Sequence, residues 1–341
     1  MNPPDPHPVL DLIEAFRRSK TMFTAVSMGI FDLLQKAPAS ALEIAARLDA
    51  HPDAMTRLLD GCAALGLLEK HDAIYRNAPV AETYLCANSP HTMRGYIRYS
   101  DAALYPMWSN LENAVREGSH RWTQTFGLDG PIFGAFFRTD EAMRDFLMGM
   151  HGFGMLTSSH VVAAFDLTRF RHLVDLGGAT GHLAIAACER YPEMHATVFD
   201  LPRATTLARE QVTQSPAASR IEIVAGDFFV NELPDADLFY LGRILHDWTE
   251  AKIELLLKRI FDRLPAGGAL LTGEKLLEDD GVGPVSANMQ SLNMLIVTEG
   301  RERSLAEYVA LLRAAGFSEV SGRRTGVALD AVMAVKPFKA G

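Results

Sequence analysis

Apolar positions recur at helical spacing from about Asp11 to Gln35, where Leu12, Ile13, Phe16, Met22, Phe23, Val26, Met28, Ile30, Phe31 and Leu34 exceed what one helix face uses. Such a segment has to be covered on several sides, by a further layer of this chain or by another subunit. Ser40 with Glu43 three residues on predicts a capping box, followed by Ile44, Ala45 and Leu48 on one face. A second helix is predicted from about Pro52, with Leu58, Leu59, Cys62 and Leu65 apolar and Gly66 as its stop. The stretch LLEKHDAIYRNAP then reads as two short strands and a turn, so the whole segment predicts a winged helix. Residues from about 93 to 164 read as largely helical and rich in aromatic side chains; the stripe Phe146, Met148, Met150, Phe153 and Met155 suits either core packing or the wall of a pocket.

From Arg171 the rhythm changes to alternating strands and helices, which predicts a mostly parallel sheet covered on both faces. The strands are expected at His172–Leu176, His195–Phe199, Ile221–Ala225, Leu238–Leu241 and Ala269–Thr272, with Ser318–Arg323 and Ala331–Val335 finishing the sheet as a hairpin.

Composition narrows the field. The 341 residues suffice for about two domains, and 48% hydrophobic residues with 22% charged ones describe an ordinary globular chain. A net charge of −9 disfavours nonspecific binding to nucleic acid or anionic lipid. The winged-helix segment itself, between Pro38 and Pro90, holds four basic residues against seven acidic ones, and Asp53 and Asp60 would meet phosphates if its second helix entered a groove. No nucleic-acid partner and no membrane partner are therefore expected. Cys62, Cys86 and Cys188 are few, odd in number and set among apolar residues, as in a reduced cytoplasmic protein with no disulfide framework or zinc site. The proline-rich start, MNPPDPHPV, lacks the basic and apolar stretches of a secretion signal.

Ligands of open parallel sheets bind beyond the carboxyl ends of the strands. Here the first strand ends in LVDLGGATGHLA, where Asp175, Gly177 and Gly178 are candidates to hold a cofactor and the next helix begins at once. Ala179 and His182 depart from the dinucleotide fingerprint, and no phosphate-binding lysine follows. Asp200 lies 23 residues after Gly177, at the end of the second strand, where an acid can accept both hydroxyls of a ribose. Gly226, Asp227 and Phe228 follow the third strand and suit an adenine. Together these strand ends describe an adenosine site without a phosphate anchor, which fits S-adenosylmethionine (SAM).

His246 lies just past the fourth strand, in LHDW, where the methyl group of such a donor would point. Methyl transfer needs the reactants in line and the acceptor deprotonated, and an imidazole near its usual pKa can take a phenolic proton. A carboxylate fixes the tautomer of such a ring, and Glu274 and Glu302 are placed to do so; the alternative is a surface histidine beside a helix-capping Asp247. His151 and His182 have no comparable setting. The helix expected at Ser286–Thr298 puts Met289, Asn293 and Val297 on one face with Met294 beside them, which suits an aromatic acceptor or core packing.

GIFDLL at 29–34, AVREG at 114–118, AFDL at 164–167, GDFF at 226–229, LHDW at 245–248, SLNML at 291–295 and TEGRER at 298–303 run in order along nearly the whole chain. With these motifs the sequence resembles the plant-type small-molecule O-methyltransferases, and within them most closely the acetylserotonin (hydroxyindole) group. The resemblance implies a mainly helical winged-helix dimerisation domain at 1–92, a helical linker lining the acceptor pocket at 93–164, and an α/β, Rossmann-like SAM-binding domain with a mostly parallel seven-stranded sheet at 165–341. It implies a metal-independent enzyme working as an intertwined homodimer, each subunit lending part of the other's acceptor pocket. It makes His246 the general base flanked by Glu274 and Glu302, gives the ribose to Asp200, the adenine to Asp227 and Phe228 and the adenine end to Arg243, and sets Asp247 and Asn293 against the acceptor. Phe137 and Gly154 stand where the acetylserotonin enzymes carry a SAM-contacting tyrosine and tryptophan, and Val297 where they carry a glutamine. Those departures point to a less polar, larger acceptor than N-acetylserotonin. A SAM-binding regulator using the winged helix, or a diverged N-methyltransferase, is the alternative.

Overall fold

Gly29 takes a left-handed conformation (φ 72°) and splits the first apolar run into two helices, His7–Ser27 and Ile30–Lys36. A computed structural model describes residues 3–338 of the chain. By its internal contacts the chain divides into two compact units, residues 1–103 and 104–341.

In the first unit Ser40 and Glu43 form the capping box, each accepting from the other's backbone N–H, and open the helix Ala41–Arg47. The helix Pro52–Ala64 follows. The strands β1 (Ala39–Ser40), β2 (Leu68–His71) and β3 (Ile74–Asn77) make a three-stranded sheet in the order β1-β3-β2, which completes the winged helix. Ile30, Phe31, Ile44, Leu59 and Tyr75 are its buried core. On the first helix, by contrast, Val9, Leu12, Ile13 and Phe16 are each more than half exposed, the apolar excess that the sequence pattern assigns to a further layer. The helix face in question as a DNA reader is acidic: Asp53 pairs with Arg57, and Asp60 accepts from Lys70 at 2.6 Å and from the Tyr75 hydroxyl at 2.7 Å.

The second unit begins with short helices, including Trp122–Phe126 and Ile132–Phe136, and the 24-residue helix Asp140–Ala163. Its sheet contains β4 (His172–Leu176), β5 (His195–Asp200), β6 (Ile221–Ala225), β7 (Leu238–Gly242) and β8 (Ala269–Glu274). After the two-residue parallel pair β9 (Leu276–Leu277) and β10 (Arg303–Ser304), β11 (Ser318–Arg323) and β12 (Asp330–Val335) close it. The seven strands lie in the order β11-β12-β8-β7-β4-β5-β6, and only β12 runs against its neighbours. The chain passes from β4 to one side and returns from β7 on the other, so the crevice where this topology places ligands opens between the carboxyl ends of β4 and β7. Among the described residues no helix is long and apolar enough to cross a membrane.

Candidate active site

The loop after β4 is built for close approach. Gly177 has φ +69°, and a Cβ there would lie 2.6 Å from Ile244 Cδ1, past the end of β7; a Cβ on Gly178 would lie 2.7 Å from Asp175 Cγ. Gly181, also left-handed, leads into the helix His182–Arg190. Asp200 ties the loop to β5: its Oδ2 accepts from the Ala179 N–H at 2.7 Å and its Oδ1 from the Leu201 N–H at 2.6 Å. Burial raises its pKa to about 6 against the pull of those bonds. Behind it Asp175 is buried with Oδ2 unpartnered, and burial together with the Asp200 charge raises it to about 7. Gly226, after β6, leaves room for the Phe199 ring, which a Cβ would overlap. Asp227 Oδ1 accepts from the Phe229 N–H at 2.8 Å, holding the turn that presents Phe228.

A cavity of about 440 Å³ lies over these ends. Gly177, Asp200, Asp227 and Phe228 line it, as the strand ends predict, and so do Arg243 and Asp247, which the family resemblance assigns to the site; Asp175, Gly178 and Gly226 do not line it. Phe146, Met150 and Phe153 of the helical stripe also face it, whereas Met155 is exposed. Sequence reading did not single out Phe133, Phe229 or Trp248 as lining residues. Their rings form a continuous surface, Trp248 lying 5.0 Å edge-on from Phe229 and 5.7 Å from Phe133.

Beside the cavity, a short 3₁₀ turn (Leu245–Asp247) carries His246, whose side chain is 3% exposed. Its Nδ1 lies 2.7 Å from Glu302 Oε1 and 3.5 Å from Glu274 Oε2. Glu274 is held from below, its Oε1 accepting from the N–H groups of Ile244 at 3.2 Å and Leu245 at 3.0 Å. Gly300 lets the turn before Glu302 pack against the His246 carbonyl, and Arg303 Nη1 donates to the Leu245 carbonyl at 3.2 Å. On the other side of the ring, Nε2 is 3.6 Å from Asp247 Oδ1, too long for a hydrogen bond. Burial pulls the imidazole pKa down, but the charges of Glu302, Glu274 and Asp247 and the Glu302 hydrogen bond outweigh it and raise the value to about 9. Burial raises Glu274 to about 7 and Asp247 to about 6. The ligand-type atoms of His246, Glu274 and Glu302 all lie within 4.8 Å of one another, but both carboxylates meet the same ring nitrogen. This is the geometry of an oriented imidazole whose Nε2 makes no hydrogen bond among the described residues; His246, Glu274 and Glu302 do not themselves line the cavity and reach it only through the neighbouring Asp247.

The remaining acceptor candidates are placed differently. The helix Val285–Val297 forms as expected, yet Met289, Asn293, Met294 and Val297 do not line the cavity. Asn293 accepts from Trp108 Nε1 at 3.0 Å, Val297 is 1% exposed and its carbonyl accepts from Trp122 Nε1 at 2.9 Å, Met294 is buried and Met289 is half exposed. Core packing, the alternative for that stripe, accounts for Met294 and Val297. Gly154 lines the cavity, and the His182 imidazole stands where its side chain would begin. His182, for which the sequence offers no setting comparable to that of His246, itself lines the cavity. The signal lay in Gly154, 28 positions before it, which no local motif connects to it.

Residues 108–318 match the model of an O-methyltransferase domain and residues 10–87 that of an O-methyltransferase dimerisation domain. The chain is 41% identical, over 98% of its length, to a Homo sapiens protein named as a probable bifunctional dTTP/UTP pyrophosphatase/methyltransferase, of whose length it spans 54%. Acetylserotonin O-methyltransferase of Bos taurus is 40% identical, over 94% of this chain and 95% of its own. A crystal structure of human N-acetylserotonin methyltransferase in complex with SAM is 34% identical and superposes with a TM-score of 0.94, covering 99% of this chain and 100% of that one.

Proposed function

The chain belongs to the O-methyltransferase family, and we propose that it carries the methyl group of SAM to a hydroxyl of an aromatic small molecule with His246 as general base. The observation that supports this most is the buried imidazole, held on Nδ1 by Glu302 beside a cavity with acids at two strand ends. The residues present fit the donor. The loop at Gly177 and Gly178 has no room for a side chain, Asp200 and Asp227 suit hydroxyls and an amine, and no lysine is among the residues that line the cavity. When bound, SAM supplies an electrophilic methyl group on a positively charged sulfur.

The protein's own part is placement and proton transfer. Asp200 takes the ribose, Asp227 and Phe228 the adenine, and the aromatic surface of Phe133, Phe229 and Trp248 excludes water around a flat acceptor. Glu302 and Glu274 fix the tautomer of His246, so that Nε2 takes the hydroxyl proton as the acceptor oxygen forms its bond to carbon; such base catalysis contributes about 10²–10⁴-fold. The charges of Glu302, Glu274 and Asp247, which raise its pKa to about 9, favour the charged form of the imidazole at neutral pH. Beside a bound cation the His246 imidazole would be driven back toward its neutral, basic form.

The exposed apolar row on the first helix and the dimerisation domain support a homodimer. Three free, buried cysteines suit the reducing cytoplasm to which we assign the protein, and the acidic winged helix suits dimerisation better than nucleic-acid binding. Incubation with methyl-labelled SAM and a panel of phenols, hydroxyindoles and hydroxyquinones tests the assignment. One acceptor or more should gain the labelled methyl group on oxygen with one equivalent of S-adenosylhomocysteine released, and label on nitrogen, or on no member of the panel, would overturn it.

A further inference from the structure

Three basic side chains line the cavity: Arg203, Arg243 and His182. Arg203 is committed, its Nη1 donating to the Phe137 carbonyl at 2.6 Å and its Nη2 to Asp140 at 2.8 Å. Arg243 is not. Its Nη1 rests on the Met150 sulfur at 3.2 Å, its guanidinium lies over the Phe153 ring, and its buried Nε has no partner.

His182 opens the helix that follows the glycine loop. Its ring stands where a Cβ at position 154 would be, so Gly154, on the helix Asp140–Ala163, is the condition for its placement. The Ser158 hydroxyl, one turn further along that helix, is 2.8 Å from Nδ1. Burial, with His151 and Arg243 nearby, keeps the ring neutral. A neutral ring that accepts from Ser158 at Nδ1 carries its proton on Nε2, and Nε2 makes no hydrogen bond among the described residues.

The ends of β5 and β6 hold carboxylates, which suit hydroxyls and amines and repel an anion. The end of β7 holds the reacting group, His246. What remains is the wall between the glycine loop after β4 and Arg243 at the end of β7, where His182 offers an uncommitted N–H and Arg243, which the family resemblance gave to the adenine end, offers the positive charge. We propose that His182, set in place by Gly154 and Ser158, binds the amino-acid end of the methyl donor, donating from Nε2 to its carboxylate beside Arg243. The assignment rests on the donor reading above and makes His182 a binding residue that local sequence did not reveal.

Isothermal titration of the intact protein with S-adenosylhomocysteine and with 5′-methylthioadenosine, which keeps the adenosine and the thioether but lacks the amino-acid end, separates the possibilities. His182→Phe retains a ring and removes the donor; it should weaken S-adenosylhomocysteine roughly 10- to 100-fold while methylthioadenosine changes less than about twofold. His182→Gln, which keeps an N–H donor, should recover part of the loss, and Gly154→Ala should reproduce it by displacing the ring. Equal weakening of both ligands, or unchanged S-adenosylhomocysteine affinity in both His182→Phe and Gly154→Ala, would overturn the proposal. Failure of the unmodified protein to bind S-adenosylhomocysteine would instead overturn the donor reading itself.

Discussion

Nδ1 of His246 and Oε1 of Glu302 stand 2.7 Å apart in a site from which solvent is almost absent, joining the end of β7 to a turn 56 residues later. A carboxylate in that position holds the ring's tautomer and also stabilises its charged form. The same contact that aims the base therefore makes it reluctant to give up its proton until something positive enters the neighbouring cavity.

Glu302→Gln tests this double role. Because the folded-state pKa of His246, about 9, lies above the ~6.5 of an unfolded chain, the folded protein binds the extra proton between those values. That contribution to stability is complete below pH ~6.5 and is lost as pH rises through about 9. Glu302→Gln removes an anion from the ring and lowers its pKa. Melting temperature should then fall less steeply from pH 6.5 to 9, and the rising limb of the turnover–pH profile should move to lower pH.

Donor charge should be visible on the same ring. In nitrogen-15 histidine spectra, SAM should move the titration of His246 to lower pH, and S-adenosylhomocysteine, which lacks the sulfonium charge, should move it much less. Equal shifts with the two ligands would detach the imidazole from the donor's charge.

Asp200 holds two backbone N–H groups as well as the ribose assigned to it. Asp200→Asn keeps the shape but loses the charge and one acceptor. S-adenosylhomocysteine affinity should fall by roughly 10- to 100-fold, as for charged hydrogen bonds of about 1.5–3 kcal/mol, in a calorimetric titration.

Leu12 and Phe16 are 74% and 53% exposed in the single chain, on a helix whose other face joins the core. The double substitution Leu12→Asp with Phe16→Asp should shift the protein from dimer to monomer in sedimentation analysis at micromolar concentration, with helical circular dichroism nearly unchanged.

Much of this was legible in the sequence because the punctuation was local. Glycine and acid residues mark the ends of β4, β5 and β6, and the expected strands match the observed ones within two residues. Ser40 and Glu43 announce their own capping box. The break at Gly29 was hidden because Met28 and Ile30 continue the apolar pattern across it, and only the backbone conformation shows the turn. Periodicity placed Met289, Asn293 and Val297 on one face without telling whether that face meets a cavity or the core. Trp108 and Trp122, which meet that helix through hydrogen bonds, are more than 170 residues away in the chain. His182 escaped for a related reason, since its setting is made by Gly154 and Ser158 on another helix.

His246→Ala, measured for both turnover and S-adenosylhomocysteine affinity, bears most directly on the central claim. Turnover should fall by about 10²–10⁴-fold while affinity stays within about twofold, because the ring moves a proton and does not hold the donor. Turnover within a few-fold of the unmodified protein, at unchanged affinity, would contradict the assignment of His246 as the base.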